Sequence, residues 1–448
     1  MSTQEQKGTN WVAVITMMFI YGMISFVTNL AAPMGSVWKY QPGIDGSNMW
    51  GMMGNMMNFL AYLFMGIPAG KMLTKCGYKK TALIAIATGF AGVGIQFLSG
   101  KIGICPDCQS FSLVGGMPLS FFIYLLGAFV CGFSVCMLNM VVNPMLNLLG
   151  GGGNRGNQLN MIGTTFNSVA GTATPILVGA LIGQVTKDTA VADVNLVLYI
   201  ALAVFAAAFV VLSFIPIRNP EQGNTTEQIP ALAPLKFRHC LLGVIAIFMY
   251  VGIEIGIPAT MNLWLADSEG PLVKAGVTNA ATIAGMVAGT YWFLMLIGRT
   301  VGAFIGGKIS SRALMTFTTF CAICLIIVGT QVTGVEASMP VFTGKGFVMA
   351  KVPLTGVLFA LCGLMTSIMW PSTFNLATEK LGKYTAAASG LFMVMVVGGG
   401  VLPLIQNFIA DKCGYMISYA IPVAALTYMF LYSAFFSKPA KNIDELVK

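Results

Sequence analysis

The chain carries very little charge for its length. Of its 448 residues only 9% are Asp, Glu, Lys or Arg, whereas a soluble protein carries about 25%. The single histidine, His239, is too little for a histidine-based metal site or a histidine-dependent triad within the apolar segments. Hydrophobic residues make up 56% of the chain, and the mean hydropathy is +0.81. This composition excludes a water-covered globular enzyme and predicts that the main solvent is lipid.

Twelve apolar segments are long enough to cross a hydrocarbon core of ~30 Å as helices. They are about twice as long as a membrane-barrel strand and lack its alternating polarity, so we predict an all-α integral membrane bundle. The segments lie near 11–35, 49–70, 81–100, 118–147, 161–184, 194–215, 240–265, 280–305, 313–333, 353–378, 385–410 and 414–436.

The basic residues predict how the bundle is oriented. With both termini in the cytoplasm, 17 of the 24 Lys and Arg residues lie inside and 7 lie outside. The positive-inside rule therefore predicts cytoplasmic termini. The net charge of +9 follows from this bias and indicates no nucleic-acid partner. The polar first ten residues predict no removable signal peptide.

The sequence also reads as two related halves. A polar stretch rich in Pro, Gly and charge predicts a linker at 216–239, between six-helix halves at 1–215 and 240–448. Cys131-Gly132 and Cys362-Gly363 lie 231 residues apart, at equivalent places in the fourth span of each half. Three further echoes recur at similar spacing, although chance matches in a Gly-rich apolar chain are the alternative. Two parallel six-helix halves are a transporter architecture with a site between the halves.

Several stretches resemble the bacterial fucose/glucose–galactose permease branch of the major facilitator superfamily. They include "FMYVGIEIG", "LMLIGRTVGAFIG", "LMTSIMWPSTFNLATEKLGKYTAAASG" and "LNMVVNPMLNLLG". The resemblance implies twelve helices in the bacterial inner membrane and import of a monosaccharide by alternating access. The substrate would be a hexose, deoxyhexose or N-acetyl amino sugar, carried by a monomer without a cofactor and driven by an ion gradient, with H⁺ favoured over Na⁺.

Two positions depart from that family in a way that concerns mechanism. The fucose permeases carry carboxylates in the first and fourth spans, and the resemblance places Asn29 and Asn139 at those positions. Proton coupling therefore does not transfer directly. A passive sugar facilitator and a sodium-coupled symporter, with Na⁺ held by carbonyl and Asn oxygens, remain alternatives.

Glu254 is the candidate for proton coupling. It lies in the apolar run "IAIFMYVGIEIGIPATMNLWL" (245–265), 14 residues or about 21 Å along a helix from Cys240. No other carboxylate is placed well inside a predicted span. Because a carboxylate at this depth costs about 2.5–3.5 kcal/mol, it usually has a function. The alternative is a structural glutamate bonded to neighbouring hydroxyl groups.

A sugar site is expected to combine amide side chains with an aromatic platform. We expect no carboxylate–arginine pair in this pocket, and Arg299 is interpreted as an orientation anchor near the cytoplasmic end. Any one of the amides is equally able to bridge two helices. The substrate-binding candidates are Asn29, Asn58, Asn139, Asn143, Asn262, Tyr291, Trp370 and Asn375, and the gating or loop candidates are Lys71, Lys75, Gly77, Arg299 and Lys308.

Other motifs carry no catalytic or metal chemistry. "GAFIGGK" (302–308) begins like a phosphate-binding loop, but Ile309 follows in place of Ser or Thr and no strand precedes it. Cys105 and Cys108 form a disulfide or stay as free thiols, and two cysteines alone are too few ligands for a metal. The sequence therefore predicts a transporter and no enzyme.

Overall fold

The computed structural model describes residues 11–104, 116–149, 153–182, 191–215, 230–277, 279–305, 309–332, 334–342 and 346–439. One helical stretch, Met53–Ile104, holds two spans, and Gly77 near their junction has φ 78° and ψ 171°. Only glycine adopts such a conformation readily, so the chain turns there between the second and third spans.

The described residues contain twelve long helical spans, two of which are interrupted. Residues 367–368 break the tenth span, and residues 396–397 break the eleventh just before three consecutive glycines. The spans are α1 (Trp11–Trp38), α2 (Met53–Leu73), α3 (Lys75–Ile102), α4 (Leu119–Leu149), α5 (Gly153–Ile182), α6 (Asn195–Phe214), α7 (Arg238–Ala266), α8 (Ala280–Ile305), α9 (Ser311–Gln331), α10 (Leu354–Thr366 and Met369–Thr378), α11 (Thr385–Met395 and Gly398–Cys413) and α12 (Tyr415–Ser418, Ala420–Leu431 and Tyr432–Phe436).

The predicted helical bundle is confirmed. Eleven of the spans in the described part of the chain are long and apolar enough to cross a membrane. The remaining one, α5, is 30 residues long but less apolar, because its first half carries Asn, Gln and Arg residues. Each predicted segment corresponds to one observed span, with ends that differ by a few residues.

A β-hairpin between α9 and α10 was not predicted. Its strands β1 (Glu336–Phe342) and β2 (Phe347–Pro353) pair antiparallel, with Glu336 opposite Pro353. The hairpin is an addition to the all-α prediction, and it marks one end of the bundle. We call this the hairpin end, and the opposite end, where the chain passes from α6 to α7, the linker end.

Contacts between the first six and the last six spans occur in matching pairs. α5 packs on α8, α2 packs on α11, and α1 packs on α7. Most of the predicted linker, residues 216–229, lies outside the described residues. From residue 230 the chain passes through a short 3₁₀ helix, Ala233–Lys236, and then enters α7.

The glycines of the repeated Cys-Gly pair have the same structural role. A Cβ atom on Gly132 of α4 would collide with the backbone carbonyl of Asn58 in α2. A Cβ atom on Gly363 of α10 would collide with the backbone carbonyl of Tyr291 in α8. Each glycine therefore lets the fourth span of its group approach the second span closely, as small residues do between membrane helices.

Candidate functional site

A cavity of about 360 Å³ lies between the first six and the last six spans. This volume is near the lower end of the range for small-molecule sites. Three amide side chains and one indole ring line the cavity together with apolar residues and prolines. The lining residues are Thr28, Asn29, Pro33, Asn55, Pro175, Ile255, Pro258, Ala259, Asn262, Ala288 and Trp292.

The helix α7 contributes one continuous face to this cavity. Its lining residues Ile255, Pro258, Ala259 and Asn262 follow the three- and four-residue spacing of a helix face. Glu254 lies four residues before Pro258, so it occupies the same side of α7 one turn nearer the linker end. The carboxylate is therefore placed next to the cavity along the path toward the linker end.

Glu254 is held in a hydrogen-bonded ion pair. Its Oε1 accepts a hydrogen bond from the Tyr250 hydroxyl at 2.8 Å and one from Arg299 Nη2 at 3.2 Å. The two charged side chains are only 15% and 20% exposed, Glu254 being the more buried. Both charges have thus been removed from most of their solvent and compensate each other.

Arg299 also reaches across to the first six spans. Its Nη1 donates to Ser168 Oγ at 2.9 Å and to the backbone carbonyl of Thr164 at 3.3 Å, both in α5. The interpretation of Arg299 as an orientation anchor is therefore wrong, as is the expectation that no carboxylate–arginine pair lies at the site. The long guanidinium side chain allows a residue near the end of α8 to reach the middle of the bundle.

Two of the substrate-binding candidates, Asn29 and Asn262, lie together in the cavity. The Asn29 amide group donates to the backbone carbonyl of Ser25 at 2.9 Å and to its hydroxyl at 3.2 Å. The lining residues Asn55 and Trp292 were not among the committed candidates. The Trp292 ring packs beside Gly171 of α5, where a Cβ atom would crowd it at 3.1 Å.

The other candidates lie elsewhere in the bundle. Asn139 donates to the Tyr62 hydroxyl at 2.8 Å, and Tyr291 shares a 2.9 Å hydrogen bond with Thr366. Asn58 lines a second cavity, of about 340 Å³, within the first six spans, and its Oδ1 is among the buried atoms without a partner in the described structure. Asn375 is exposed. The side chain of Asn143 lies outside the described residues.

Trp370 is connected to the ion pair through one intermediate ring. Its ring centroid lies 6.0 Å from that of Tyr250, which donates to Glu254. Trp370 thus sets the surroundings of the carboxylate and is not part of the cavity lining. This arrangement places the aromatic side chain of α10 against α7.

The loop candidates lie at the linker end. Lys71 and Lys75 are exposed there, and Gly77 forms the turn described above. Lys308 lies outside the described residues, as do Cys105 and Cys108, so their proposed roles stay predictions.

A polar network at the hairpin end was missed by the sequence analysis. Lys39, just after α1, forms an ion pair with Asp267, just after α7. Lys39 Nζ also donates to Asn48 Oδ1 at 2.8 Å and contacts the Tyr415 hydroxyl at 3.0 Å. Asp411 of α11 accepts hydrogen bonds from Asn48 and two neighbouring residues at 2.7–2.9 Å. These contacts join the two groups of spans.

The repeat contained a signal for this ion pair. Lys39 and Asp267 are 228 residues apart, at equivalent positions after the first span of each half, and they carry opposite charges. Equivalent residues close to the axis relating two repeats come near each other. Opposite charges at such positions therefore predict a contact, which a count of charges per loop does not reveal.

Comparison with known proteins assigns the chain to a family. Residues 12–403 match the family described as Major Facilitator Superfamily. The chain belongs to the major facilitator superfamily. It is therefore a membrane transporter and no enzyme, and its twelve spans form the two parallel six-helix halves of the major facilitator fold.

Similar proteins support the resemblance to sugar permeases. The glucose/galactose transporter of Brucella abortus is 26% identical over 98% of this chain and 96% of the relative. The L-fucose-proton symporter of Escherichia coli is 21% identical over 86% of this chain and 84% of the relative. A crystal structure of the E. coli fucose:proton symporter superimposes with a TM-score of 0.65 at 16% identity, covering 96% of this chain and 100% of that chain.

Proposed function

We propose that this major facilitator imports a monosaccharide by alternating access, coupled to protons through Glu254. The observation that carries the coupling is the buried ion pair of Glu254 with Arg299, which at the same time binds α5 of the other half. A charge pair that connects the two halves changes its interactions when either half moves.

The cavity chemistry supports a sugar as substrate. Asn29, Asn55 and Asn262 offer amide donors and acceptors for hydroxyl groups, and Trp292 offers an aromatic face for the apolar side of a sugar ring. The cavity contains no ionisable side chain among its lining residues, which favours a neutral substrate. The named relatives transport glucose, galactose and fucose, and we extend a hexose or deoxyhexose substrate to this chain.

Proton binding at Glu254 changes the balance of contacts around Arg299. A protonated Glu254 no longer attracts the guanidinium ion strongly, so Arg299 is left with its partners on α5. Deprotonation restores the attraction within the second half. We infer that this exchange links the protonation of α7 to the packing of α8 on α5, and hence to the exposure of the cavity.

The orientation in the membrane is part of the proposal. The positive-inside bias places the linker end in the cytoplasm of a bacterial cell and the hairpin end outside the inner membrane. The halves then correspond to residues 1–215 and 240–448, with 216–239 as the cytoplasmic linker.

The test uses purified full-length protein in liposomes that contain a pH-sensitive dye. Glucose, galactose, fucose, mannose and N-acetylglucosamine are added in turn, and proton entry is recorded together with radiolabelled sugar uptake. We expect sugar-triggered proton entry in the wild type and none in Glu254→Gln, with sugar exchange retained in the variant.

Two results would contradict parts of this proposal. Downhill sugar entry that is insensitive to pH and Na⁺ would make the protein a facilitator, with Glu254 in a structural role. Sugar accumulation that follows a Na⁺ gradient would replace the proton as the coupling ion. The matched control is Glu379→Gln, an exposed carboxylate at the linker end, which should leave coupling unchanged.

A further inference from the structure

We infer that Lys39, Asn48, Asp267, Asp411 and Tyr415 form a gate, the hairpin-end latch, which must open during each transport cycle. The inference rests on the proposed alternating access and adds the residues that close one of its two faces. The cavity lies between the halves, and the latch joins the halves above it at the hairpin end.

The central contact of the latch is almost completely buried. The Lys39 and Asp267 side chains are 4% and 13% exposed, and Lys39 Nζ has three partners from two parts of the chain. The Tyr415 hydroxyl donates to Asp267 Oδ2 at 2.7 Å and is also 2.6 Å from Asn48 Oδ1. A buried charge pair with this many hydrogen bonds holds its partners in one geometry and is costly to leave half broken.

The second contact uses a carboxylate of one half to bind backbone of the other. Asp411 Oδ1 accepts from Asn48 N at 2.8 Å and Nδ2 at 2.7 Å, and Oδ2 accepts from Ser47 Oγ and Met49 N. All four donors belong to the connection between α1 and α2. Separation of the halves at this end would break these bonds together with the Lys39–Asp267 pair.

The location of the latch explains why it acts as a gate. Lys39 and Asp267 are equivalent residues of the repeat, so their contact lies near the axis that relates the halves. A small apolar cluster of Met52, Ala259 and Leu263 lies beside Tyr415, and Ala259 also lines the cavity. The polar latch and this apolar layer together separate the cavity from solvent at the hairpin end.

The test measures access to the cavity from outside the cell. Ala288, which lines the cavity and is 3% exposed, is replaced by cysteine in the full chain. Intact cells are treated with a membrane-impermeant maleimide, and labelling at position 288 is followed by peptide mass spectrometry, so other cysteines do not interfere. We expect Lys39→Gln and Asp267→Asn each to raise the labelling rate about tenfold or more, because the closed state loses a charge-assisted contact.

Two further variants separate a gate from a general disturbance. The exchange Lys39→Asp with Asp267→Lys should return the labelling rate toward that of Ala288→Cys alone. Lys351→Gln removes an exposed ion pair of the hairpin and should have no effect. Unchanged rates in Lys39→Gln and Asp267→Asn, or an equal rise in Lys351→Gln, would overturn the gate.

Native cysteines serve as internal controls for folding and orientation. Cys131 and Cys362 are buried, so their labelling in a latch variant would mean unfolding and would contradict a gating role. Cys413 is exposed at the hairpin end and Cys76 at the linker end, so labelling of Cys413 alone confirms the orientation. If Cys76 is labelled instead, the same prediction is tested in inverted vesicles. Failure to transport sugar would contradict the proposed function while leaving this result readable.

Discussion

The α2–α11 and α5–α8 interfaces are related by the repeat, yet they are built from different chemistry. Gly66 of α2 lets the backbone of α11 approach at Val394. At the corresponding place Arg299 of α8 contacts the backbone of α5 at Thr164. Gly66 and Val394 are thus matched by Arg299 and Thr164, at spacings of 233 and 230 residues.

The same contrast holds for the first span of each half. "FIYGMIS" in α1 and "FMYVGIE" in α7 each place a polar residue four positions after a tyrosine, namely Ser25 and Glu254. The first half is neutral at both places, and the second half holds the ion pair. The repeat thus supplies the scaffold twice, whereas the charge that we propose for coupling is supplied once.

The largest effect is expected from breaking the charged interface. Arg299→Met would leave Glu254 buried without its counter-ion, which costs about 3–5 kcal/mol of stability when one partner of a buried pair is removed. The midpoint of thermal unfolding in detergent should fall clearly, and sugar uptake should be lost.

The double variant Glu254→Gln with Arg299→Met provides the control for this prediction. Without either charge it should recover most of the lost thermal stability but not the proton coupling. A double variant as unstable as Arg299→Met would contradict the ion-pair explanation and indicate that the arginine stabilises the bundle through α5 alone.

The next effect tests whether the neutral scaffold is truly shared. Gly132→Ala and Gly363→Ala each force a methyl group against a backbone carbonyl of the neighbouring span. Overpacking of this kind costs about 1–3 kcal/mol, and we expect similar losses at the two sites. Gly390→Ala is the matched control in thermal unfolding, since nothing lies within 4 Å of its added methyl group. A large difference between the two variants would argue against equivalent helix packing in the halves.

A smaller effect is expected at a pair of aromatic residues. Trp292 follows Tyr291 in α8, and Phe59 follows Asn58 in α2, so the two rings occupy matching positions. Trp292 lines the cavity, whereas Phe59 packs against Gly399 and Gly400 of α11. Trp292→Ala should weaken sugar affinity about tenfold, or 1.4 kcal/mol, while Phe59→Leu should leave the KM for sugar unchanged. Equal KM changes would mean that the ring of α8 does not contact the sugar.

The fold was largely predictable because membrane helices are fixed by length and apolarity. The break at Gly77 and the ends of the spans also follow from glycine and polar residues. The β-hairpin was not predictable in the same way, since residues 336–353 are short, and their pairing depends on a turn and on packing against α8 and α10.

The site was only partly predictable because side-chain reach is not visible in a sequence. Glu254 was identified by its depth in an apolar run. Arg299 was misread, since its Cα position lies near the end of α8 while its guanidinium group extends toward the middle of the bundle. Asn139 and Tyr291 have the right chemistry for a sugar, yet other polar groups within their own half bind them. Which amides face the cavity depends on the rotation of each helix, and apolar surroundings on all sides conceal it.

The smallest effect is expected at Ser25, the neutral counterpart of Glu254. Ser25→Ala removes one hydroxyl that accepts from Asn29, but the Asn29 amide keeps its 2.9 Å hydrogen bond to the Ser25 backbone carbonyl. The loss of one such bond is worth about 1 kcal/mol or less in stability. Sugar-triggered proton entry in liposomes should therefore keep its stoichiometry, with at most a modest rise in KM. If Ser25→Ala instead uncoupled protons from sugar as Glu254→Gln does, coupling would belong to both halves of the repeat and the asymmetry between them would lose its functional meaning.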